Sequence, residues 1–239
     1  MPAGSCGLST LLQWLRQQAV AESLFAAIQR QKLLSDSVIV SYSGGKESAV
    51  VLDLCSRHFK TVHAFFMYQV PNLSFQEAVL RWAEQRYGIE IYRIPHFEVS
   101  RFYRYGIYRK PDATIPILKI ADIYAHVREV FGCQWIAAGE RAADSVVRGA
   151  RLRSEGSINV KRGRFFPLAW WRIESVRRYI QAHSLKVSPE SQILGHSFRF
   201  DEDDIIAVKQ HYPEDYERIR QSFPDIGAVV ARRELYGAA

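Results

Sequence analysis

Cysteine is scarce: Cys6, Cys55 and Cys133 are the only three in 239 residues. Their number is odd and no two stand at C-x-x-C spacing, which excludes a disulfide framework or an all-cysteine zinc site and favours a reducing cytoplasm. Long hydrophobic runs are missing as well. The most apolar stretches, 38–41 and 62–67, are far shorter than the ~20 residues of a membrane span, so no membrane partner is expected. Met1 to Gly7 lack the basic start of a secretory leader, and the helix-like stretch that follows carries Arg16 and Glu22. The histidines (His58, His63, His96, His126, His183, His196 and His211) form neither HxxxH nor HExxH, so a zinc hydrolase has little support and no residue is assigned to a metal. There is no internal repeat and no Pro/Gly/Ser linker. A single domain over residues 1–239 is therefore expected.

What is present is an ordinary globular composition, 48% hydrophobic and 24% charged, with a net charge of +7. The charge is unevenly placed. Residues 141–164 hold Arg141, Arg148, Arg151, Arg153, Lys161, Arg162 and Arg164 against only Asp144 and Glu155, and a second cluster, Arg101, Arg104, Arg109 and Lys110, has no acid inside it. Two basic loops point to an anionic partner bearing phosphate, or to nucleic acid. For any one arginine, a solvated surface position is the plainer explanation.

Hydrophobic periodicity predicts an N-terminal helix from Leu8 to near Lys32, then a buried strand Val38–Val40 and a helix Glu47–Arg57. A second strand is expected over Val62–Tyr68 and a helix over Ser74–Tyr87, with Ser74 as N-cap and Glu77 completing a capping box. Ile89–Ile94 and Trp135–Ala138 read as strands on either side of a helix Ile117–Phe131. Strands alternating with helices predict an α/β fold, an open, mainly parallel twisted sheet covered on both faces. Residues 141–166 are polar and Gly-punctuated, with a short hairpin around Arg162-Gly163. Beyond them Trp171–His183, Glu202–His211 and segments after Pro213 and Pro224 look helical, so a mostly helical C-terminal part is expected to pack on the sheet. The nucleotide-binding core would span about 36–182 and the helical extension 183–239.

Ligands of such sheets bind beyond the carboxyl ends of the strands, where the loops 41–48, 68–74 and 139–148 would converge. Ser41-Tyr42-Ser43-Gly44-Gly45-Lys46-Glu47-Ser48 follows a buried strand and opens a helix. Glycines let the backbone approach a ligand, first-turn N–H groups face an anion, Ser43 and Ser48 add hydroxyls and Lys46 a positive charge. A plain Gly-Gly turn is the competing explanation; position, serines and lysine together favour a phosphate site. The interleaved Phe102, Tyr103, Tyr105 and Tyr108 are suited to base stacking, to a lid or to packing. Arg141–Asp144–Arg148 has the spacing of an ion-paired helix start as well as of an anion site. Lys161, Arg162 and Arg164 read as a solvated hairpin tip within reach of a polyanion, and Cys133 as a small core residue.

Ser43-Gly44-Gly45-Lys46-Glu47-Ser48 resembles the SGGxDS signature of the PP-loop ATP pyrophosphatases, the adenine nucleotide alpha hydrolase-like proteins, which cleave ATP between the α and β phosphates. Gly139-Glu140-Arg141-Ala142-Ala143-Asp144-Ser145-Val146-Val147-Arg148 is similar to the G-x-R-x-x-[DE]-S-x-x-R segment of the PAPS (phosphoadenosine phosphosulfate) reductase-like branch. Pro167-Leu168-Ala169-Trp170-Trp171 with Val176 and Tyr179-Ile180 looks like the branch's PL-x-x-W-x-x-x-x-V-x-x-Y-I stretch. There are departures. Glu47 stands where the signature has Asp, Tyr68-Gln69-Val70 stands where many members have Asp-Thr-Gly, and no cysteine follows Cys133. The resemblance ties sulfonucleotide reduction to a C-terminal thiol, so reduction by a thiol of this chain is not expected.

The resemblance implies an adenine nucleotide, ATP or a PAPS/APS-type molecule, accompanied by Mg²⁺. Its binding set would be Ser41, Ser43, Gly44, Gly45, Lys46, Glu47, Ser48, Met67 and Gly139, and its catalytic set Lys46, Arg141, Asp144 and Arg148. The implied reaction is adenylyl transfer to an acceptor with pyrophosphate release, in the service of sulfur transfer or nucleic-acid modification. The alternatives are sulfonucleotide binding or reduction with a thiol from elsewhere, and a non-enzymatic nucleic-acid-binding module. Implied partners are a nucleic acid or another anionic acceptor, and a second copy of the chain in a homodimer.

Overall fold

Val38, Ile39 and Val40 are three β-branched residues in succession with no exposed surface. Such a run suits only a strand covered on both faces. In the computed structural model, which describes residues 25–189, 193–194 and 198–237, they form the middle of β1 (Ser37–Ser41). Residues 25–34 (α1) precede it as a helix, two residues beyond the expected end at Lys32, and the expected helical residues before 25 lie outside the described part. There follow α2 (Lys46–His58), β2 (Thr61–Tyr68), α3 (Ser74–Tyr87), β3 (Ile91–Pro95), α4 (Phe97–Tyr105), α5 (Ile120–Phe131) and β4 (Ile136–Ala137). A 3-10 turn at Ala142–Asp144 leads into α6 (Val146–Glu155), the hairpin strands β5 (Ile158–Asn159) and β6 (Arg164–Phe165), and α7 (Ile173–Ala182). The chain ends in α8 (Glu202–His211), α9 (Pro213–Ser222) and α10 (Gly227–Tyr236).

The sheet order is β3-β2-β1-β4-β6-β5. All neighbours are parallel except β5 and β6. Val40 lies opposite Ala64 on one side and Ala137 on the other, so β1 is central. Strand alternation sorts the core. Val38, Val40, Ala64 and Phe66 pack with α1, α2, α3 and α7, whereas Ile39, Phe65 and Ile136 pack with Ile123 and Val127 of α5. This is the expected α/β architecture with helices on both faces.

Several expectations need correction. The last three helices do not rest on the sheet; they build a separate apolar cluster with Val70 and Leu73 of the loop after β2, Phe75 of α3, and Phe102 and Tyr103 of α4. Ser74 makes no capping box: Leu73 is the N-cap residue and has no side-chain cap. Instead buried Asp215 of α9 accepts hydrogen bonds from Ser74 N (2.8 Å) and Ser74 Oγ (2.6 Å), while Glu77 pairs with Arg93 at 2.9 Å. A carboxylate distant in sequence caps α3 more strongly than the local hydroxyl.

Two helices went unpredicted. The aromatics of α4 obscure its period. In α6 the internal Gly149 looks like a breaker, but a Cβ there would lie 2.9 Å from Ala142 O, so the helix needs glycine to dock on the preceding turn. Among the described residues no helix is long and apolar enough to cross a membrane.

Candidate functional site

The chain leaves β1 toward β2 on one side, whereas β4 lies on the other. The loops after β1 and β4 therefore diverge, and a crevice must open between them. It is a cavity of about 1110 Å³, lined on its first wall by Ser41, Ser43, Gly45, Lys46, Glu47 and Ser48. Gly139, Glu140, Arg141, Asp144 and Arg148 form the second wall, and Gln69, His96, Glu98, Phe198 and Arg199 contribute from the β2–β3 side.

The first wall is built by serines folding the loop onto the helix. Ser48 Oγ accepts from Ser43 N (3.1 Å), shares a 3.0 Å hydrogen bond with Ser43 Oγ, and donates to Gly45 O at 3.0 Å. Gly45 is the N-cap residue of the 13-residue α2 and supplies no side-chain cap. The first-turn N–H groups thus have no partner within the helix and sit at its positive end. Gly44 takes φ +73, and its carbonyl accepts from Ser188 N at 2.8 Å. Lys46 makes no ion pair among the described residues although it lines an otherwise carboxylate-bearing cavity.

The second wall is an ion-pair chain. Arg141 Nη2 lies 2.7 Å from Asp144 Oδ1 and 3.2 Å from Glu47 Oε1, bridging the two loops, and Asp144 also accepts from Arg141 N at 2.9 Å. Arg148 reaches Asp144 at 3.4 Å from an exposed position. Arg141 itself is 8% exposed, and its Nε has no hydrogen-bond partner. Ala142 N donates to Ala169 O at 2.8 Å, which ties this loop to the Pro167–Trp171 stretch; Leu168 and Trp171 are buried there, so that motif acts as the loop's support. At Gly139 an added Cβ would meet Glu47 Cβ at 2.8 Å; only glycine lets β4 end this close to the start of α2.

The expected residues Ser41, Ser43, Gly45, Lys46, Glu47, Ser48, Gly139, Arg141, Asp144 and Arg148 thus meet in one crevice. Gly44 lies behind it as the turn, and Met67 packs against the α5-side cluster rather than lining the cavity. His96, Glu98, Glu140 and Arg199 escaped sequence reading; the usable signal was that His96 directly follows a parallel strand. His96 caps α4, Nδ1 accepting from Glu98 N at 3.3 Å, and burial holds its imidazole below the usual histidine range despite nearby Glu98. The tautomer with the proton on Nε2 follows, so neutral His96 presents a donor.

The aromatic–arginine segment is used for packing. Phe102 stacks on Phe200 with centroids 5.6 Å apart, Tyr103 lies edge-on to Phe223, and Arg109 sits 3.4 Å over the Tyr103 ring. Arg164 is not a solvated tip: it pairs with Glu140 at 3.0 Å and lies 4.5 Å over the Tyr124 ring. For Mg²⁺ the residues do not form a cage. The carboxylates Glu47 and Asp144 are both held on Arg141, and no group of three candidate ligands exists among the described residues.

Comparison with solved structures finds a phosphoadenylyl-sulfate (PAPS) reductase from Candida auris, phosphate complex, at TM-score 0.51 and 15% identity, covering 82% of this chain and 94% of that one. A U34-tRNA thiolase from Methanococcus maripaludis with its [4Fe-4S] cluster aligns at TM-score 0.45 and 16% identity, over 85% of this chain and 82% of that one. An NH3-dependent NAD synthetase from Campylobacter jejuni aligns at TM-score 0.49 and 14% identity, over 93% and 96%. The search of curated proteins gives no significant match. The model of the phosphoadenosine phosphosulfate reductase domain matches residues 37–190, which hold both walls of the crevice. The chain therefore belongs to the phosphoadenosine phosphosulfate reductase domain family, within the PP-loop, adenine nucleotide alpha hydrolase-like superfamily.

Proposed function

We propose that the crevice binds ATP and that the protein transfers its adenylyl group to an anionic acceptor. The observation that carries this reading is Lys46, a cation without an ion-pair partner among the described residues, at the open N-terminus of α2 in a cavity of about 1110 Å³. The β and γ phosphates lie on residues 43–48, where main-chain N–H groups, the two serine hydroxyls and Lys46 neutralise them. The nucleoside extends toward Gln69 and the neutral His96. An acceptor oxygen attacks the α phosphorus, the bond from that phosphorus to the α–β bridging oxygen breaks, and pyrophosphate leaves carrying both electrons of that bond. Arg141 and Arg148 hold charge on the side from which the acceptor enters, with Asp144 fixing the Arg141 fork. Residues 1–239 act in this reading as one domain, the core 36–182 with its helical extension.

A second reading, binding of a sulfonucleotide with a thiol supplied by a partner, is favoured by the family match at residues 37–190. The thiol would have to come from outside the described residues. Cys55 is buried within α2 and burial pushes its thiol far up, and Cys133 is buried at the amino end of β4, away from the crevice.

Thermal shift and calorimetry with ATP, AMP and phosphoadenosine phosphosulfate, followed by pyrophosphate release from ATP, separate the readings. Adenylyl transfer requires release that falls about 100-fold in Lys46→Ala, a loss of about 2.7 kcal/mol in transition-state stabilisation. Tighter binding of the sulfonucleotide without release from ATP selects the second reading. No shift with any of the three overturns both.

A further inference from the structure

Beyond the crevice, at the amino-terminal edge of the sheet, lies a second cavity of about 630 Å³ between α5 and the β5–β6 turn. Its walls hold Arg128, Lys161, Arg162 and Arg164 together with Tyr124 and Trp135, and none of the described residues lining it is acidic. Arg164 shares Glu140 with Arg151, and exposed Arg162 is 3.9 Å from Glu155. Neither Arg128 nor Lys161 has a carboxylate within ion-pair distance among the described residues.

Arg128 donates only to carbonyls: from Nε to Gln134 O (2.9 Å), and from Nη2 to Arg162 O (2.6 Å) and Gly163 O (3.3 Å). It pins the turn against the entry of β4 while its charge stays uncompensated. Burial, and after it the neighbouring Arg164, draw its guanidinium below the ordinary range. Tyr124 lines both cavities, and Glu140 of the crevice wall pairs with Arg164 of the second cavity, so the two lie side by side.

We infer that this groove seats the phosphate backbone of a single-stranded nucleic acid on Arg128, Lys161 and Arg162, and so guides the acceptor of the proposed transfer toward the crevice. Concavity disfavours a flat membrane, and a cavity of about 630 Å³ seats one strand of phosphates rather than a duplex. The inference rests on the proposed adenylyl transfer for its purpose but not for its test.

The test is fluorescence anisotropy of labelled single-stranded oligo-dT and oligo-U on the full chain without ATP. The variant is Lys161→Glu/Arg162→Glu, two exposed side chains of the turn. Binding by the native chain should weaken in the variant at least tenfold at low salt, and the slope of log affinity against log salt should flatten by about 1.4, from about 0.7 per lost phosphate contact. Arg101→Glu/Lys110→Glu makes the same change of net charge in the other basic cluster and should leave binding within twofold. Unchanged binding in the turn variant, equal loss in the control variant, or equal displacement by inorganic phosphate at the same phosphate concentration overturns the groove. A milder pair, Lys161→Gln/Arg162→Gln, gives the same reading if the reversal variant does not fold. Loss of oligonucleotide binding with no pyrophosphate release from ATP keeps the groove and removes only the transfer.

Discussion

Replacing Gly139 by alanine should separate the two walls of the crevice. The new methyl carbon would stand 2.8 Å from Glu47 Cβ, 3.1 Å from Glu47 C and 3.2 Å from Ser48 N. Carbon atoms in contact prefer about 3.5–4.0 Å, so the end of β4 and the start of α2 must part by about 0.7 Å or more. No flexible side-chain tip is available to yield, because the obstacles are backbone and a Cβ. Overpacking of this kind costs about 1–3 kcal/mol, and at about 2–4 °C per kcal/mol the melting temperature should drop by about 2–12 °C. The same displacement lengthens the 3.2 Å Arg141–Glu47 bridge and moves Ser48, which organises the Ser43 loop. Nucleotide binding should therefore weaken by more than the loss of folded protein explains. Gly227→Ala is the control: nothing lies within 4 Å of its added Cβ, and φ is −58, so it should be neutral or slightly stabilising. Differential scanning calorimetry and ATP titration at a temperature where both variants are folded provide the readout. A Gly139→Ala protein that melts with the native chain and binds ATP equally would refute the claim that this glycine sets the distance between the walls.

Asp215→Ala should cost about 3 kcal/mol, because it strands both the N–H and the hydroxyl of Ser74, each bonded to a buried carboxylate worth about 1.5 kcal/mol or more. Ser74→Ala keeps the main-chain bond and should cost about half of that, a ranking checked by urea denaturation. Acid stability provides a further test at Asp53, where burial raises the carboxyl's pKa but hydrogen bonds from Arg57, Tyr179 and Tyr87 outweigh it and hold the group below its ordinary value. In the window below about pH 4 the folded state therefore binds fewer protons there than the unfolded state, so this stabilisation is complete above that range and is lost as pH falls through the lowered value. Asp53→Asn should be less stable at neutral pH and lose less on acidification; an acid limb as steep as that of the native chain contradicts this account.

How legible the fold was depended on where the decisive contacts lie. Val38–Val40, the Gly44–Gly45 turn and Glu47–Arg57 could be read because strand, turn and helix are specified by neighbours in the chain, and the structure places them within a residue or two. Ser74 misled because its partner Asp215 lies 141 residues away. Local capping rules see only the short-range competitor. Arg164 misled for the same reason, since Glu140 and the Tyr124 ring meet it only once α5 and β6 are packed. The aromatics of residues 102–108 carry no mark that distinguishes a stacking platform from a core, and their partners Phe200 and Phe223 belong to the C-terminal helical part. The crevice wall from His96 and Glu98 needed the β3–α4 junction, and α4 was hidden by its side chains.

Glu47 has the most consequence for how the crevice works. At the position where the PP-loop signature has Asp, the longer carboxylate spans 3.2 Å to Arg141 and joins the phosphate loop to the loop after β4. Asp144 holds the same Arg141 Nη2 at 2.7 Å, so the guanidinium is oriented before any ligand arrives. Orientation set in advance lowers the ordering cost of binding. The arrangement therefore favours an anion that comes to Arg141 over one that must displace Asp144. Under the proposed nucleotide binding, Lys46, without an ion-pair partner among the described residues, takes the more mobile negative charge. In the proposed transfer, this division of labour gives the fixed guanidinium to the reacting phosphate or its acceptor, and the flexible ammonium to the phosphates that depart.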